Sequence, residues 1–279
     1  MLFESNENVQ YNEGNFRIGG FHMTNLYVIT GGTGGMGKAT AMRLAKGNAF
    51  LLADMNEERL AQTAEELTAA GAVQVEYMIA DISKRESVKA LADKAASMGE
   101  LVGLVHTAGL SPTMADWKKI MEVNAVGTAY ILDEFIHLAG PKTSAVMISS
   151  MSAHMVPATP EMRAALKNPL DEAFMATMEK MSQGTPGGSY TTSKLAVIEM
   201  VKDLAWAWGE KGARLNSISP GTIDTAMGRQ EKEESQQIEF LSREGINQIA
   251  GERTYKETRK GVARKNSTHY RLFNRKFLN

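Results

Sequence analysis

Tyr190 and Lys194 stand four residues apart at the start of an amphipathic stretch that runs to Glu210. On a helix that spacing puts both side chains on one face, with their bases about 5–6 Å apart. A phenol whose ordinary pKa is about 10 is a poor base at neutral pH, and a neighbouring ammonium favours its phenolate. The pair could therefore exchange a proton with a hydroxyl or carbonyl of a bound molecule. Ser150, at the end of the run Val146-Met147-Ile148-Ser149-Ser150, could hold that same oxygen. Ser149 and Ser152 compete for the task, and a serine at a strand end is often a simple turn residue. Tyr-x-x-x-Lys alone carries little, because the spacing arises by chance in many helices.

A second set binds rather than reacts. Thr30-Gly31-Gly32-Thr33-Gly34-Gly35-Met36-Gly37 follows an apolar run and opens an amphipathic stretch. Glycines there permit a tight turn and close approach of backbone to a pyrophosphate, which then sits at the positive end of a helix. The candidate binding residues are Gly31, Thr33, Gly35, Met36 and Gly37, and they point to a nucleotide. Asp54 closes the next apolar run, where a carboxylate can accept hydrogen bonds from ribose hydroxyls and would repel a 2′-phosphate. No Lys or Arg lies among the loop glycines or at Met55 and Asn56, so NAD is favoured over NADP. Asp54 could also cap a helix beginning near Asn56, and Asp81, with Ile82, could contact adenine or cap a helix from Lys84.

These residues need a scaffold, and the chain between Asn25 and Gly221 alternates short apolar runs with amphipathic stretches. The pattern predicts strands at Leu26–Thr30, Ala49–Ala53, Val73–Ala80, Leu101–Thr107, Ser144–Ser149 and Ala213–Ser219. Helices are expected over Gly35–Ala45, Asn56–Ala69, Lys84–Met98, within Ala115–Leu138 and over Tyr190–Glu210. Six strands joined by right-handed helical crossovers make an α/β, doubly wound parallel sheet with helices on both faces. Tyr190, Lys194 and Ser150 then follow or end the fifth strand, at the carboxyl edge where such sheets bind ligands. Residues 151–189 interrupt the rhythm and read as a helical insertion, with an amphipathic helix over Leu170–Met181. Its Phe174, Met175, Met178 and Met181 suit core or a subunit contact better than a substrate lid.

Composition sets the outer limits. The chain has 279 residues, a net charge of −1 and no cysteine, which excludes disulfides, thiolate metal sites and a cysteine nucleophile. The near-neutral sum hides an asymmetry of about +7 in Arg243–Asn279 against about −8 before it. Residues 229–279 form an atypical basic tail without strand-like runs. A nucleic-acid role for it is disfavoured, since basic runs usually mark a solvated surface. Residues 1–23 read as a polar, disordered leader ahead of a start-like Met23-Thr24-Asn25-Leu26. Nothing resembles a membrane span or a secretory signal, so a cytoplasmic protein is expected.

In order and spacing these features resemble the short-chain dehydrogenase/reductase family. The likeness covers Asn25 to Met227 and rests on Thr30-Gly-x-x-x-Gly35-x-Gly37, Asp81-Ile82, Ala108-Gly109, Asn124, Ser150, Tyr190-x-x-x-Lys194 and Pro220-Gly221. The resemblance implies oxidoreduction of a secondary alcohol and a ketone with a nicotinamide cofactor. It implies Tyr190 as acid/base, Lys194 lowering its pKa and binding the nicotinamide ribose, Ser150 positioning the substrate oxygen, and Asn124 as a helix-kinking residue that holds a relay water. Ala108 and Gly109 belong to the cofactor site, with Pro220, Gly221, Ile223 and Thr225 over the nicotinamide. Ser152-Ala153-His154, the insertion and Ala205–Asn216 are similar to the bacterial 3α-hydroxysteroid dehydrogenase/carbonyl reductase subgroup. That implies a steroid-like or other alicyclic substrate and a homodimer or homotetramer. His106-Thr107 departs from the family's Asn-Asn, a change expected to touch only the adenine pocket. The tail shows none of the family's closing helix, seventh strand and Gly-Gly end, so a shift of reading frame near Phe240–Ser242 is expected, with a nucleotide-binding but catalytically impaired protein as the alternative.

Overall fold

In the computed structural model, residues 15–18, 21–182 and 184–229 are described, with side chains from Thr24 onward. Six parallel strands carry the fold: β2 (Phe21–Thr30), β3 (Ala49–Asp54), β4 (Gln74–Ile79), β5 (Glu100–His106), β6 (Ser144–Ile148) and β7 (Arg214–Ile218). They lie in the order β4-β3-β2-β5-β6-β7, the doubly wound arrangement the sequence predicts. Each observed strand lies within two residues of its expected bounds except β2, which begins five residues early.

Alternation along the central strands divides the interior in two. Leu26 and Val28 of β2 and Leu51 of β3 face one core with Val88, Leu91, Ile131 and Leu195. Ile29, Phe50 and Leu52 point the other way, onto Ala41 of α1 (Gly35–Leu44) and Leu60 and Leu67 of α2 (Glu57–Ala69). The first core is covered by α3 (Arg85–Met98), α5 (Gly127–Phe135) and α8 (Pro186–Glu210). Burial on both faces explains why β3 reads as the unbroken apolar run Ala49-Phe50-Leu51-Leu52-Ala53. The strand order reverses between β2 and β5, so a crevice opens beyond Thr30 and His106.

Three features depart from expectation. The interval Ala115–Leu138 is not one helix: α4 (Trp117–Met121) passes into a π turn at Glu122–Val126, then α5 and a 3-10 turn at Ile136–Leu138. The insertion holds two helices instead of one over Leu170–Met181. These are α6 (Pro160–Leu166) and α7 (Phe174–Met181). Thr159 caps α6 by accepting from Met162 N at 3.2 Å, with Pro160 at its first position; that Thr-Pro pair is a start signal the periodicity argument passed over. Asp171 makes an Asx turn to Ala173 N, which delays α7 to Phe174. Ion pairs between Arg163 and Glu199 (2.5 Å) and Lys167 and Asp203 (3.0 Å) tie α6 to α8.

The leader also needs correction in part. Asn15–Ile18 forms β1, antiparallel to β2 with Ile18 opposite Phe21. Alternating Phe16 and Ile18, followed by Gly19-Gly20 between the strands, is a hairpin signature read as polar only on average. The remaining leader residues and the basic tail beyond Arg229, with its expected frame shift, lie outside the described residues. Among the described residues no helix is long and apolar enough to cross a membrane.

Candidate functional site

The glycine-rich turn lies at the carboxyl end of β2, on one wall of the crevice. Gly31 has φ +69°, and a Cβ on it would stand 2.7 Å from Ala108 N and from Thr107 Oγ1. Gly37 packs so closely that a Cβ would collide with the Gly31 carbonyl, and one on Gly35 would stand 2.6 Å from the Thr225 methyl. Gly34 N donates to Gly31 O at 3.0 Å, closing the turn. Helix α1 then starts at Gly35 with Gly34 as its cap, and no side chain caps its first-turn amides. A helix N-terminus left open behind a glycine-rich turn fits the pyrophosphate of a dinucleotide.

Asp54 is bound into this turn rather than into a helix cap. Its Oδ2 accepts from Thr33 N (3.1 Å) and Thr33 Oγ1 (2.6 Å), and its Oδ1 from Met55 N (2.8 Å). The cap of α2 is Asn56, whose Oδ1 accepts from Arg59 N at 2.9 Å. Arg59 is a site residue that inspection of the loop and its immediate neighbours missed. One turn into α2, it swings Nη2 back to donate to Thr33 O at 3.0 Å. Asp81 does not cap α3 either: its Oδ1 accepts from Ser83 N (2.9 Å) and Ser83 Oγ (2.6 Å), while Lys84 takes the cap position. Burial acts to raise the Asp81 pKa, but these bonds and the charges of Lys119 and Lys84 prevail and hold it below the usual carboxylate value. The Ile82 side chain is buried against Gly127, leaving only its backbone for a ligand.

Across the switch point, side chains from four elements converge. Lys194, on α8 and 7% exposed, donates from Nζ to Ile148 O at 3.0 Å, and its Nζ lies 5.9 Å from the centre of the Tyr190 ring. Asn124 lies in the π turn, buried; its Oδ1 accepts from Leu110 N (2.8 Å) and its Nδ2 donates to Leu110 O (2.9 Å) and Ser193 Oγ (3.2 Å). Ser193 Oγ in turn donates to Tyr190 O. A Cβ on Gly109 would stand 3.1 Å from Asn124 Oδ1 and 3.2 Å from Lys194 Nζ, so the bare glycine lets both close on one point.

The competition among the serines has a geometric answer. Ser149 is buried and donates to Lys194 O at 2.7 Å, which ties the end of β6 to α8. Ser150 Oγ is instead partnered by Ser152, through N at 3.2 Å and Oγ at 2.9 Å. Pro220 O accepts from Met151 N at 2.8 Å, holding the Pro220-Gly221 segment beside Ser150. Further along, Ile223 O accepts from Thr225 N, while the Thr225 hydroxyl accepts from Gly228 N at 3.1 Å and its methyl faces Gly35. A cavity of about 400 Å³ lies between the insertion and α8, lined by Ser152, Met155, Met162, Met181, Thr185 and Thr192 among others. Thr185 and Thr192 occupy the flank of α8 away from Tyr190 and Lys194. Among the described residues no cluster of His, Asp and Glu could hold a metal ion.

This geometry has clear relatives. The family model described as short chain dehydrogenase matches residues 25–183, and one described as Enoyl-(Acyl carrier protein) reductase matches 173–254. A short-chain dehydrogenase/reductase of Alternaria brassicicola is 32% identical over 211 residues, covering 74% of this chain and 76% of its own. The 3-alpha-hydroxysteroid dehydrogenase/carbonyl reductase of Comamonas testosteroni is 37% identical over 163 residues, 54% of this chain and 60% of its own. The solved structure of a dehydrogenase/reductase from Sinorhizobium meliloti superposes with a TM-score of 0.58 at 26% identity, covering 73% of this chain and 74% of that one. A fold, a glycine turn and a Tyr–Lys–Asn cluster of this kind, with those relatives, lead to one conclusion: the chain belongs to the short-chain dehydrogenase/reductase family of NAD(P)-dependent oxidoreductases.

Proposed function

We propose that the protein uses NAD to interconvert a secondary alcohol and a ketone, with Tyr190 as the acid/base. The observation that carries this reading is the convergence of Lys194 Nζ, the Tyr190 ring, Asn124 and Gly109 at the carboxyl ends of β5 and β6. In the oxidation direction the substrate hydroxyl lies between Ser150 Oγ and the Tyr190 phenol oxygen. Ser150 orients that oxygen, and the Tyr190 phenolate takes its proton. The Lys194 ammonium, fixed on Ile148 O and beside the Tyr190 ring, stabilises the phenolate. Asn124, pinned on both sides by Leu110, offers its main-chain carbonyl to a water that carries the proton onward. When bound, the nicotinamide accepts the hydride from the carbinol carbon or returns it to the ketone.

The open amides of Gly35, Met36 and Gly37 would hold the pyrophosphate, with Gly31 and Ala108 allowing its approach, and Asp54 the adenosine ribose. Asp54 retains lone pairs beyond its bonds to Thr33 and Met55, and its charge disfavours a 2′-phosphate, which supports NAD over NADP. Relatives named as hydroxysteroid dehydrogenases, from Comamonas testosteroni and Eggerthella lenta, support an alicyclic, steroid-like substrate. The same reading makes the protein a cytoplasmic homodimer or homotetramer. Incubating it with NAD or NADP and a panel of hydroxysteroids and alicyclic alcohols, and following reduced-nicotinamide absorbance, tests the proposal. Turnover abolished in Tyr190→Phe supports it; binding of NAD with no turnover on any substrate rejects it in favour of the impaired binding protein.

A further inference from the structure

His106 ends β5 at the switch point and is 2% exposed, with both ring nitrogens engaged. Nδ1 lies 2.6 Å from Thr30 Oγ1 and Nε2 lies 2.9 Å from Thr128 Oγ1, while Thr128 Oγ1 lies 2.7 Å from Asn124 O. A carbonyl only accepts, so the last bond is donated by the Thr128 hydroxyl. That hydroxyl has one proton and has now used it, so the contact with His106 must be donated by Nε2–H. Nδ1 is then unprotonated and accepts from Thr30. Every proton in the chain Thr30→His106→Thr128→Asn124 O is thereby assigned, in one direction, from a single carbonyl.

We propose that His106, fixed as the Nε2–H tautomer, is a positioning residue that orders the Thr128 hydroxyl onto the Asn124 carbonyl and so sets the π turn presenting Asn124 beside Lys194. This rests on the proposed role of Asn124 in proton transfer. Without the histidine N–H, the Thr128 hydroxyl is free to rotate, and Asn124 O loses a fixed donor in a π turn, whose hydrogen bonding departs from the α-helical pattern. With it, one lone pair of Asn124 O is committed to the Thr128 hydroxyl. Burial, assisted by the Lys194 charge, pushes the His106 pKa from 6.5 to about 3, so the ring stays neutral as the chain of donors requires. The neighbours facing the ring through hydrogen bonds, Thr30 and Thr128, carry no charge. The departure at His106-Thr107 thus reaches the proton-handling site, where the sequence suggested only the adenine pocket.

Two measurements on the full chain test this. In nitrogen-15 NMR of histidine-labelled protein at pH 6–8, His106 should show the neutral Nε2–H pattern; an Nδ1–H tautomer or an imidazolium overturns the proposal whatever the activity. In kinetics, Thr128→Val, which removes the hydroxyl at nearly constant volume, should lower kcat about tenfold and leave the KM for NAD within about twofold. Thr128→Ser should recover most of that loss. His106→Phe should match Thr128→Val, and the double variant should be no worse than either, because one broken link opens the whole chain. Equal losses in Thr128→Ser and Thr128→Val, or wild-type kcat in Thr128→Val, overturn it. Tyr190→Phe run alongside separates the two readings: if it keeps full activity the proposed function fails, and if it is inactive while Thr128→Val is not, only the positioning role fails.

Discussion

The two walls of the crevice are made of different materials. The Gly31–Gly37 turn is mostly backbone, built within seven consecutive residues by its five glycines and fastened from outside by Asp54 and Arg59. The opposite wall is side chain: Asn124 from a π turn, Lys194 and Tyr190 from α8, Ser150 from the end of β6 and His106 from β5. On the proposed reading the first wall binds a phosphate with no ionisable group of its own beyond the flanking Asp54 and Arg59. The second can move protons, and so depends on which of its groups carries one. Binding and chemistry are therefore separable in this protein, and substitutions should affect one with little effect on the other.

The sharpest test of that separation is Tyr190→Phe. It should lower kcat by about 10²–10⁴-fold while NAD affinity, measured by quenching of tryptophan fluorescence, stays within a few-fold. A matching loss of NAD affinity would break the comparison. The mirror experiment is Gly37→Ala, whose methyl group has no space beside the Gly31 carbonyl. NAD affinity should fall by about 100-fold as the turn shifts, with the Tyr190–Lys194 geometry preserved in a crystal structure of the variant.

Acid should act on the side-chain wall through His106. His106 has a folded pKa of about 3 against an ordinary 6.5, so between those values the unfolded chain binds a proton that the folded chain does not. Its contribution to stability is complete above pH 6.5 and is lost as pH falls toward 3, by up to about tenfold in the folding equilibrium constant per pH unit. Urea unfolding from pH 7 to 4 should show this slope in the wild type and a shallower one in His106→Phe; parallel curves would place the acid sensitivity elsewhere. The smallest effect is expected on the binding wall, where Asp54→Ala removes a charge that disfavours the 2′-phosphate. The ratio of kcat/KM for NAD over NADP should drop by about tenfold, with kcat on NAD little changed.

Much of the scaffold could be read from residue order because its causes are local. Period-2 burial on the sheet and the glycine turn each follow from a few neighbours, and the observed strands fall where the apolar runs lie. The expected helix over Leu170–Met181 starts only at Phe174, because the Asx turn at Asp171 outweighs periodicity there, and the hairpin at β1 was hidden by a polar average. Arg59 escaped notice because its guanidinium reaches Thr33 across 26 positions. Similarly, Ser149 and Ser150 are adjacent and chemically identical; only the register of β6 against α8 sends one to Lys194 O and leaves the other at the crevice.

By itself, then, the order of residues determined a doubly wound sheet, a turn shaped for a dinucleotide and a Tyr–Lys pair on one helical face, since each rests on spacing and alternation along the chain. The tertiary structure decided which protons are committed. Thr30, His106, Thr128 and Asn124 lie on four elements, with bonded partners up to 76 positions apart, and hydrogen-bond direction among them exists only once β2, β5, the π turn and α5 are brought together.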